Sequence, residues 1–397
     1  MNTTLIDFLD SRPVDEHNPW CAYVYDLTSL ASHAQRLSKA LPRNCELFYA
    51  IKANPDVTLL RTLLPHVNGF EAASSGELAH LRANGIDKPI LMGGPGKTNA
   101  DISYALEQCV ACMHVESITE LQRLIVQCAS TQRIQPVLLR LNINLQGIEG
   151  SKLQMGGGAS PFGMDESDLP EAIRLIQSTP WILFQGFHFH SMSHQLSVTK
   201  HLELIRHYFK VVAHWERQCG LQVNIVNVGG GIGVNYKDVD AQFDWESFCQ
   251  QLHTLIETSG YSQKTIRFEC GRYVTAFCGY YVMQVIDIKR SHGQWFAVCR
   301  GGTHHFRTPS AQNHDHPALV HHRAGPTVLQ RDVVNLVGQL CTPKDKLHTG
   351  LYVDRLALND LVVFPMAGAY AWNISHQQFL MHTAPEMFYL TQGPASA

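Results

Sequence analysis

No run of apolar residues in this chain approaches the length of a membrane-spanning helix. No cluster of lysine and arginine is dense enough to follow a phosphate backbone. Charge is sparse, at 16% of residues with a net charge of −3. That balance implies neither a nucleic-acid nor a membrane partner. The opening MNTTLIDFLDSRP lacks a basic stretch followed by an apolar core. It is not a secretory signal, and the expected location is cytoplasmic. The 11 cysteines are therefore expected to be free thiols. One pair, Cys109 and Cys112, has CxxC spacing but no second pair at zinc-ribbon distance, so it reads as the start of a buried strand. No internal repeat suggests a solenoid. What is present is a 45% hydrophobic composition over 397 residues, comfortable for two domains.

Short apolar runs recur and amphipathic stretches separate most of them. Strands are expected near Leu47–Ile51, Gly69–Ala72, Pro89–Met92, Ala111–His114, Val137–Leu141, Ile182–Phe189, Val223–Val228 and Thr265–Glu269. Helical periods fall at 76–82, 117–129, 169–177, 198–219 and 245–258. This alternation predicts a (β/α)8 TIM barrel over 26–268. After Glu269 the pattern changes to strand-like runs at 280–290, 295–299, 332–340 and 360–364, broken by Gly, Pro, His and Asn. Residues 269–397 together with 1–25 are expected to form a second, β-rich domain, with Ala22–Tyr25 pairing into it. The segment 304–323 reads as a long loop or short helix.

In such barrels the chemistry gathers where the strands end. The first strand ends at Lys52 and is broken by Ala53-Asn54-Pro55. The second leads into Ser74-Ser75-Gly76-Glu77. The sixth ends in Phe187-His188-Phe189-His190-Ser191-Met192-Ser193, the seventh in Gly229-Gly230-Gly231, the eighth in Glu269-Cys270-Gly271-Arg272. A lysine in an apolar barrel mouth has its ammonium disfavoured and becomes a nucleophilic amine. Successive glycines let backbone approach a phosphate, and an arginine adds a charge-assisted contact. A buried glutamate keeps a heterocyclic nitrogen protonated, and a histidine stacks on a flat ring. Singly, each has a plainer explanation: a surface lysine, a tight turn, a hydrogen-bonded core histidine. Jointly they describe a pyridoxal-phosphate site.

With these motifs the chain resembles the fold type III pyridoxal-phosphate decarboxylases, the group of ornithine, diaminopimelate and siderophore-pathway amino acid decarboxylases. The likeness runs over nearly the whole chain and implies an alanine-racemase-like barrel with a C-terminal β-domain. It implies that Lys52, in Tyr49-Ala50-Ile51-Lys52-Ala53-Asn54, is the Schiff-base lysine. It makes His190 the ring stacker, and Ser193, Gly229, Gly230, Gly231 and Arg272 the phosphate contacts. Glu269 becomes the ring-nitrogen carboxylate. Gly338-Gln339-Leu340-Cys341-Thr342-Pro343-Lys344-Asp345 resembles the catalytic cysteine motif, with Cys341 as proton donor to Cα. Gly368-Ala369-Tyr370 resembles the motif whose tyrosine reaches the phosphate. Because the family's cysteine comes from the partner subunit, a homodimer with shared sites is implied.

Departures from the family pattern bear on substrate. Met192 stands where glycine is usual, Glu71 where aspartate is common, and Pro161 where lysine is usual. After Cys341, decarboxylases of free diamino acids carry an acidic residue; here it is Thr342. The Cys-Thr-Pro-Lys-Asp version resembles the siderophore branch, whose substrates are joined to citrate, and relatives acting on carrier-linked amino acids. The expected substrate is a citrate-conjugated diamino acid. Arg307, His304, His305, Thr342, Lys344 and Asp345 are the expected substrate contacts. For the histidines, loop solubility is an equal reading, and a metal site from His304, His305, His314 and His316 lacks ligand spacing. Free diamino acid decarboxylase is the first alternative function. A racemase and a non-catalytic pyridoxal-phosphate-binding protein are disfavoured by Glu269 with Cys341 and by the β-domain.

Overall fold

Each of the eight apolar runs forms a strand: Cys45–Ala50, Gly69–Ala72, Ile90–Met92, Cys112–Val115, Gln135–Asn142, Ile182–His188, Ile225–Asn227 and Thr265–Cys270. The computed structural model describes residues 1–145 and 158–391. They divide into one unit of His33–Val234 with Ala241–Val274, and another of Met1–Ser32, Asn235–Asp240 and the chain from Thr275 onward. In the first unit the eight strands are all parallel, and the fourth pairs with the fifth while the eighth pairs with the first. The barrel is therefore closed and has no free edge.

Pairing register decides which side chains face the interior. Phe48 is opposite Glu269, Ala50 opposite Glu71, and Glu71 opposite Leu91. His114 is opposite Leu138, Arg140 opposite His188, and His188 opposite Asn227. Paired residues point the same way and alternate residues share a face. One inward set thus runs round the barrel. Its lower members, Phe48, Leu91, Cys112 and Leu138, pack into an apolar cluster. Its upper members, at the strand ends, are Glu71, His114, Arg140, His188, Asn227 and Glu269. Water is kept out below and polar chemistry is concentrated above.

Helices begin where sequence supplies a cap. Ser74, Ser117 and Asp244 accept hydrogen bonds from the N–H groups of Glu77, Glu120 and Ser247, and Asp56 accepts from Thr58 and Leu59. The helix Val198–Cys219 stops at Gly220, whose φ of 60° suits glycine. Helices Leu27–Ala40, Val57–Leu63 and Asn99–Glu107 were not legible from periodicity.

The second unit is built on an eight-stranded sheet. Its long strand Gly279–Ser291 pairs antiparallel with Cys21–Asp26, so the N-terminal segment does join this sheet. Leu5, Leu9, Trp20, Ala22, Val24, Val282, Leu361 and Val363 form its core, with the unexpected helix Thr3–Asp10 as a cover. Three further strands escaped the sequence reading. Lys346–Ala357 pairs with Thr327–Val337 but is exposed at many positions, which weakens its apolar alternation. Glu386–Leu390 is an edge partner of Cys21–Asp26. The 304–323 segment contains a short helix, Thr308–Gln312, and a strand, Leu319–His321.

Candidate active site

Lys52 does not end the first strand. The strand stops at Ala50, and Lys52 lies in the single 3-10 turn Ile51–Ala53. The turn is fixed by Asn54, whose carbonyl accepts from the Tyr49 hydroxyl at 3.0 Å and whose Oδ1 accepts from the Asp56 N–H at 3.1 Å. Nor is the surrounding apolar, as the sequence suggested. Lys52 Nζ donates to Glu71 Oε2 at 3.1 Å, with the lysine side chain 43% exposed and the glutamate 4%. Burial raises the Glu71 carboxyl above its ordinary range, against the pull of the Lys52 charge. A carboxylate thus holds the amine in place.

Glu269 stands at the end of the eighth strand, buried among polar partners. Asn227 Nδ2 donates to its Oε1 at 2.7 Å. His114 Nε2 lies 3.5 Å from Oε1 and His188 Nε2 lies 3.4 Å from Oε2. Burial acts to raise this carboxyl, but the Lys52 charge and the Asn227 hydrogen bond pull the other way, and the net direction is down. Burial moves His114 and His188 well below the usual imidazole range, so both are neutral. His114, Asn227 and Arg140 were not anticipated. Their signal was the alternation that places them inward at strand ends, where Glu71, His188 and Glu269 had drawn attention.

Behind these lies a second layer of ion pairs. Arg140 Nη1 is 2.8 Å from Glu116 Oε1, and Lys97 Nζ is 2.7 Å from Glu120 Oε1, all four side chains nearly inaccessible. Glu116 also accepts from the N–H groups of Gly94 at 3.1 Å and Gly163 at 3.0 Å. It thereby joins two loops of the barrel mouth. Pro161, noted for replacing a lysine, sits in the second of these loops beside Phe162, whose ring lies under Arg140.

The glycine run meets the sixth-strand motif. Gly229 and Gly231 have φ of 69° and 87°, and a Cβ on Gly230 would come 2.3 Å from the Glu269 carbonyl oxygen. Only glycine fits this close approach of two loops. The N–H groups of Gly229 and Gly230 are not both open to a ligand. Gly229 donates to Asn227 Oδ1 at 2.9 Å, and Gly230 donates to His190 Nδ1 at 3.2 Å. That second bond sets the plane of the His190 ring, which burial keeps neutral. Met192 is buried, and its carbonyl faces Gly231. The same two loops are joined by reciprocal bonds, Gln195 N–H to Gly231 oxygen and Gly233 N–H to Gln195 oxygen, both 2.9 Å. Ser193 belongs to this same loop, and Arg272 opens the short helix after the eighth strand. Lys52, His190, Ser193, Gly229, Gly230, Gly231, Glu269 and Arg272 are thus all placed at one end of the barrel. An anchored amine, a glycine approach, a fixed imidazole and an anionic carboxylate fit pyridoxal phosphate.

In the second unit, Cys341 and Lys344 are exposed and Thr342 is half-buried. Arg307 is exposed, its own N–H donating to Ser375 Oγ at 2.9 Å. Tyr370 follows Gly368 in a tight bend, with φ of 50° and its carbonyl accepting from the Thr308 hydroxyl. Three expected substrate contacts lie elsewhere than the sequence suggested. Asp345 is buried, and its carboxylate accepts from the Thr303 N–H at 2.6 Å, the Thr303 hydroxyl at 2.9 Å and the Leu340 N–H at 2.8 Å. It ties two turns together and has little left for a ligand. His304 and His305 are wholly enclosed, not on a soluble loop. His305 Nδ1 lies 3.2 Å from the Tyr281 hydroxyl. Burial lowers the two rings to about 4 and about 2. Neutral and enclosed within this unit, they are poor receptors for carboxylates.

Over residues 27–276 the sequence matches the family described as pyridoxal-dependent decarboxylase, pyridoxal binding domain. The chain belongs to this family. The enzyme is 41% identical over 384 residues to a 2-((L-alanin-3-ylcarbamoyl)methyl)-2-hydroxybutanedioate decarboxylase of Staphylococcus aureus, covering 95% of this chain and 96% of that one. It is 27% identical to an L-glutamyl-(BtrI acyl-carrier protein) decarboxylase of Niallia circulans, covering 91% and 87%. Its fold is that of Helicobacter pylori diaminopimelate decarboxylase complexed with L-lysine, at TM-score 0.84 and 22% identity, covering 98% and 94%. It is a pyridoxal-phosphate-dependent decarboxylase with a TIM barrel and a β-domain. Among the described residues, no helix is long and apolar enough to cross a membrane.

Proposed function

We propose that the enzyme removes the α-carboxylate of a diamino acid already joined to citrate, within carboxylate siderophore assembly in the cytoplasm. The observation that carries this reading is the 41% identity, across nearly both full lengths, to the Staphylococcus aureus decarboxylase. That relative's substrate name describes an L-alanine unit linked at C3 through an amide to a citrate skeleton. Two residues here agree with it. Thr342 offers no anion to a distal ammonium, and the exposed Lys344 offers a cation to carboxylates. Arg307, also exposed, is the second cation proposed for that end. The 11 cysteines are all free, as expected of a reducing compartment.

Pyridoxal phosphate, when bound, supplies the electron sink for the carbanion left as CO2 departs. The chain's residues do the rest. Lys52 supplies the anchoring amine, and Glu71 holds that amine in position while it is charged. Glu269, held anionic, keeps a proton at the ring nitrogen. His190, its plane set by the Gly230 N–H, would cover the ring face. Gly231, Ser193 and Arg272 would hold the phosphate. Cys341 returns a proton to Cα, and in the proposed homodimer it acts on the partner's site.

The test is CO2 release from a panel of substrates. The citrate conjugate of 2,3-diaminopropionate is expected to exceed free 2,3-diaminopropionate and free diaminopimelate in kcat/KM by about a hundredfold or more. Comparable turnover of a free diamino acid would remove the citrate reading. Turnover of only the carrier-linked form would favour the Niallia-like alternative.

Cys341→Ala is expected to lower kcat by roughly 10²- to 10⁴-fold, the usual contribution of a positioned proton donor. Mixing this variant with Lys52→Ala subunits should regain about a quarter of wild-type activity if each site takes one residue from each chain. No regain at all would place both residues in one subunit's site.

A further inference from the structure

Two imidazoles converge on Glu269 without any role assigned to them so far. His114 and His188 come from the fourth and sixth strands, their ring centroids 4.2 Å apart. Their Nε2 atoms face different oxygens of the one carboxylate, at 3.5 Å and 3.4 Å. Both rings are essentially inaccessible to solvent. A neutral imidazole carries one N–H, and among the described residues the anion these Nε2 atoms face is Glu269. The separations are long for N–H···O bonds, which run to about 3.2 Å, and His188 Nε2 makes no hydrogen bond in the structure as it stands. Such contacts commonly tighten when a site is loaded. Among the described residues neither Nδ1 has a hydrogen-bond partner, and the one competing contact is at His114 Nε2, which also lies 3.5 Å from the Asn227 amide nitrogen. Asn227 completes the arrangement, donating to Glu269 Oε1 at 2.7 Å and accepting from the Gly229 N–H at 2.9 Å.

We propose that His114 and His188 are positioning residues that hold their protons on Nε2 and donate them to the two oxygens of Glu269. With Asn227 they fix that carboxylate in rotation and keep it anionic toward the cofactor's ring nitrogen. Glu269 then cannot turn aside or take up the ring proton itself. The inference rests on the reading that Glu269 meets the ring nitrogen. It adds the reason a lone buried carboxylate stays charged there. A carboxylate desolvated without donors would protonate instead. Neutral donors suit the task better than a cation, since they stabilise the anion without cancelling the charge that the ring nitrogen must feel.

The test uses two readouts. The first is the histidine tautomer in the cofactor-free, ¹⁵N-histidine-labelled protein at neutral pH, with signals assigned through His114→Gln and His188→Gln. Both rings are expected to be protonated at Nε2 alone. An Nδ1–H tautomer at both positions would overturn the proposal. The second is cofactor affinity. His114→Leu and His188→Leu are expected to weaken pyridoxal phosphate binding by about tenfold to a hundredfold, the range for a hydrogen bond to a charged group. The glutamine variants, whose amide N–H stands near the Nε2 position, should stay within about threefold of wild type. Leucine variants that bind as tightly as wild type would sink the idea. If leucine prevents folding, the tautomers and the glutamine variants decide alone. Three ligand atoms of His114, His188 and Glu269 also lie within 4.8 Å of one another, so the cofactor-free protein should be titrated with cobalt(II). Uptake of one ion per chain with tetrahedral absorption bands would overturn the proposal in favour of a metal site. Failure of the decarboxylation reading would leave the tautomer result untouched, so the two failures are separable.

Discussion

Lys52→Ala is expected to lower CO2 release by about 10³- to 10⁴-fold while leaving the fold intact. The loss follows from position. Lys52 is carried on a one-turn 3-10 segment just past the first strand, braced by Asn54 and paired with Glu71 at 3.1 Å. Covalent anchoring at that point depends on this amine and ends with it. Removing one member of an ion pair often costs stability because the other charge is stranded. Here burial already raises the Glu71 carboxyl, and losing the Lys52 charge moves it further up, toward the neutral form that burial favours. The variant should therefore melt within a few degrees of wild type. Borohydride, which reduces the carbon–nitrogen double bond of a lysine-bound aldehyde, should fix cofactor to the wild-type chain and none to the variant. A variant that still acquires reduced cofactor at another lysine would overturn the assignment. A variant that unfolds would show that Lys52 holds the barrel mouth together more than Glu71 protonation can relieve.

The barrel was legible because strands buried on both faces read as continuous apolar runs, and the capped helices between them have a clear period. The candidate site was legible only where a residue type is conspicuous at a strand end, as with Lys52, the glycines and Glu269. His114 and Asn227 were not, since each is a single polar residue in an apolar run. Their meaning comes from register, and His188 opposite Asn227 is a fact of pairing that one strand's sequence does not contain. The β-domain was harder for a related reason. Lys346–Ala357 alternates weakly because much of it stays exposed. Asp345 shows the opposite failure. Its place beside the cysteine motif suggested ligand contact, yet it accepts three internal hydrogen bonds. A motif fixes which residues are near one another in the chain, not which of them face outward.

Acid should unfold this protein at a pH where most enzymes of its size are still intact. The cause is the number of histidines buried in neutral form. His201, in the barrel unit, packs against Phe243 and Phe248 with neither nitrogen hydrogen-bonded, and burial lowers it to about 4. In the other unit, burial lowers His305 to about 2 and His316 to about 3. An unfolded chain protonates histidine near 6.5. Between that value and the folded one, the unfolded state binds more protons, so stability falls as pH falls. The stabilisation is whole above pH ~6.5 and is lost on the way down toward the folded values, the window being widest for His305. At pH ~5 each such group has forfeited about 2 kcal/mol, and three of them reach the order of a domain's entire stability. Melting temperature measured from pH 8 to pH 4 should therefore drop steeply below about 6.5. His201→Leu isolates one contribution. It removes no hydrogen bond, so little should change at pH 8, while at pH 5 the melting temperature should rise by roughly 4–8 °C. An equal shift at both pH values would mean that packing, not protonation, governs this position. A flat profile across the range would mean that the buried rings take up protons in the folded state without cost, which the apolar walls around His201 argue against.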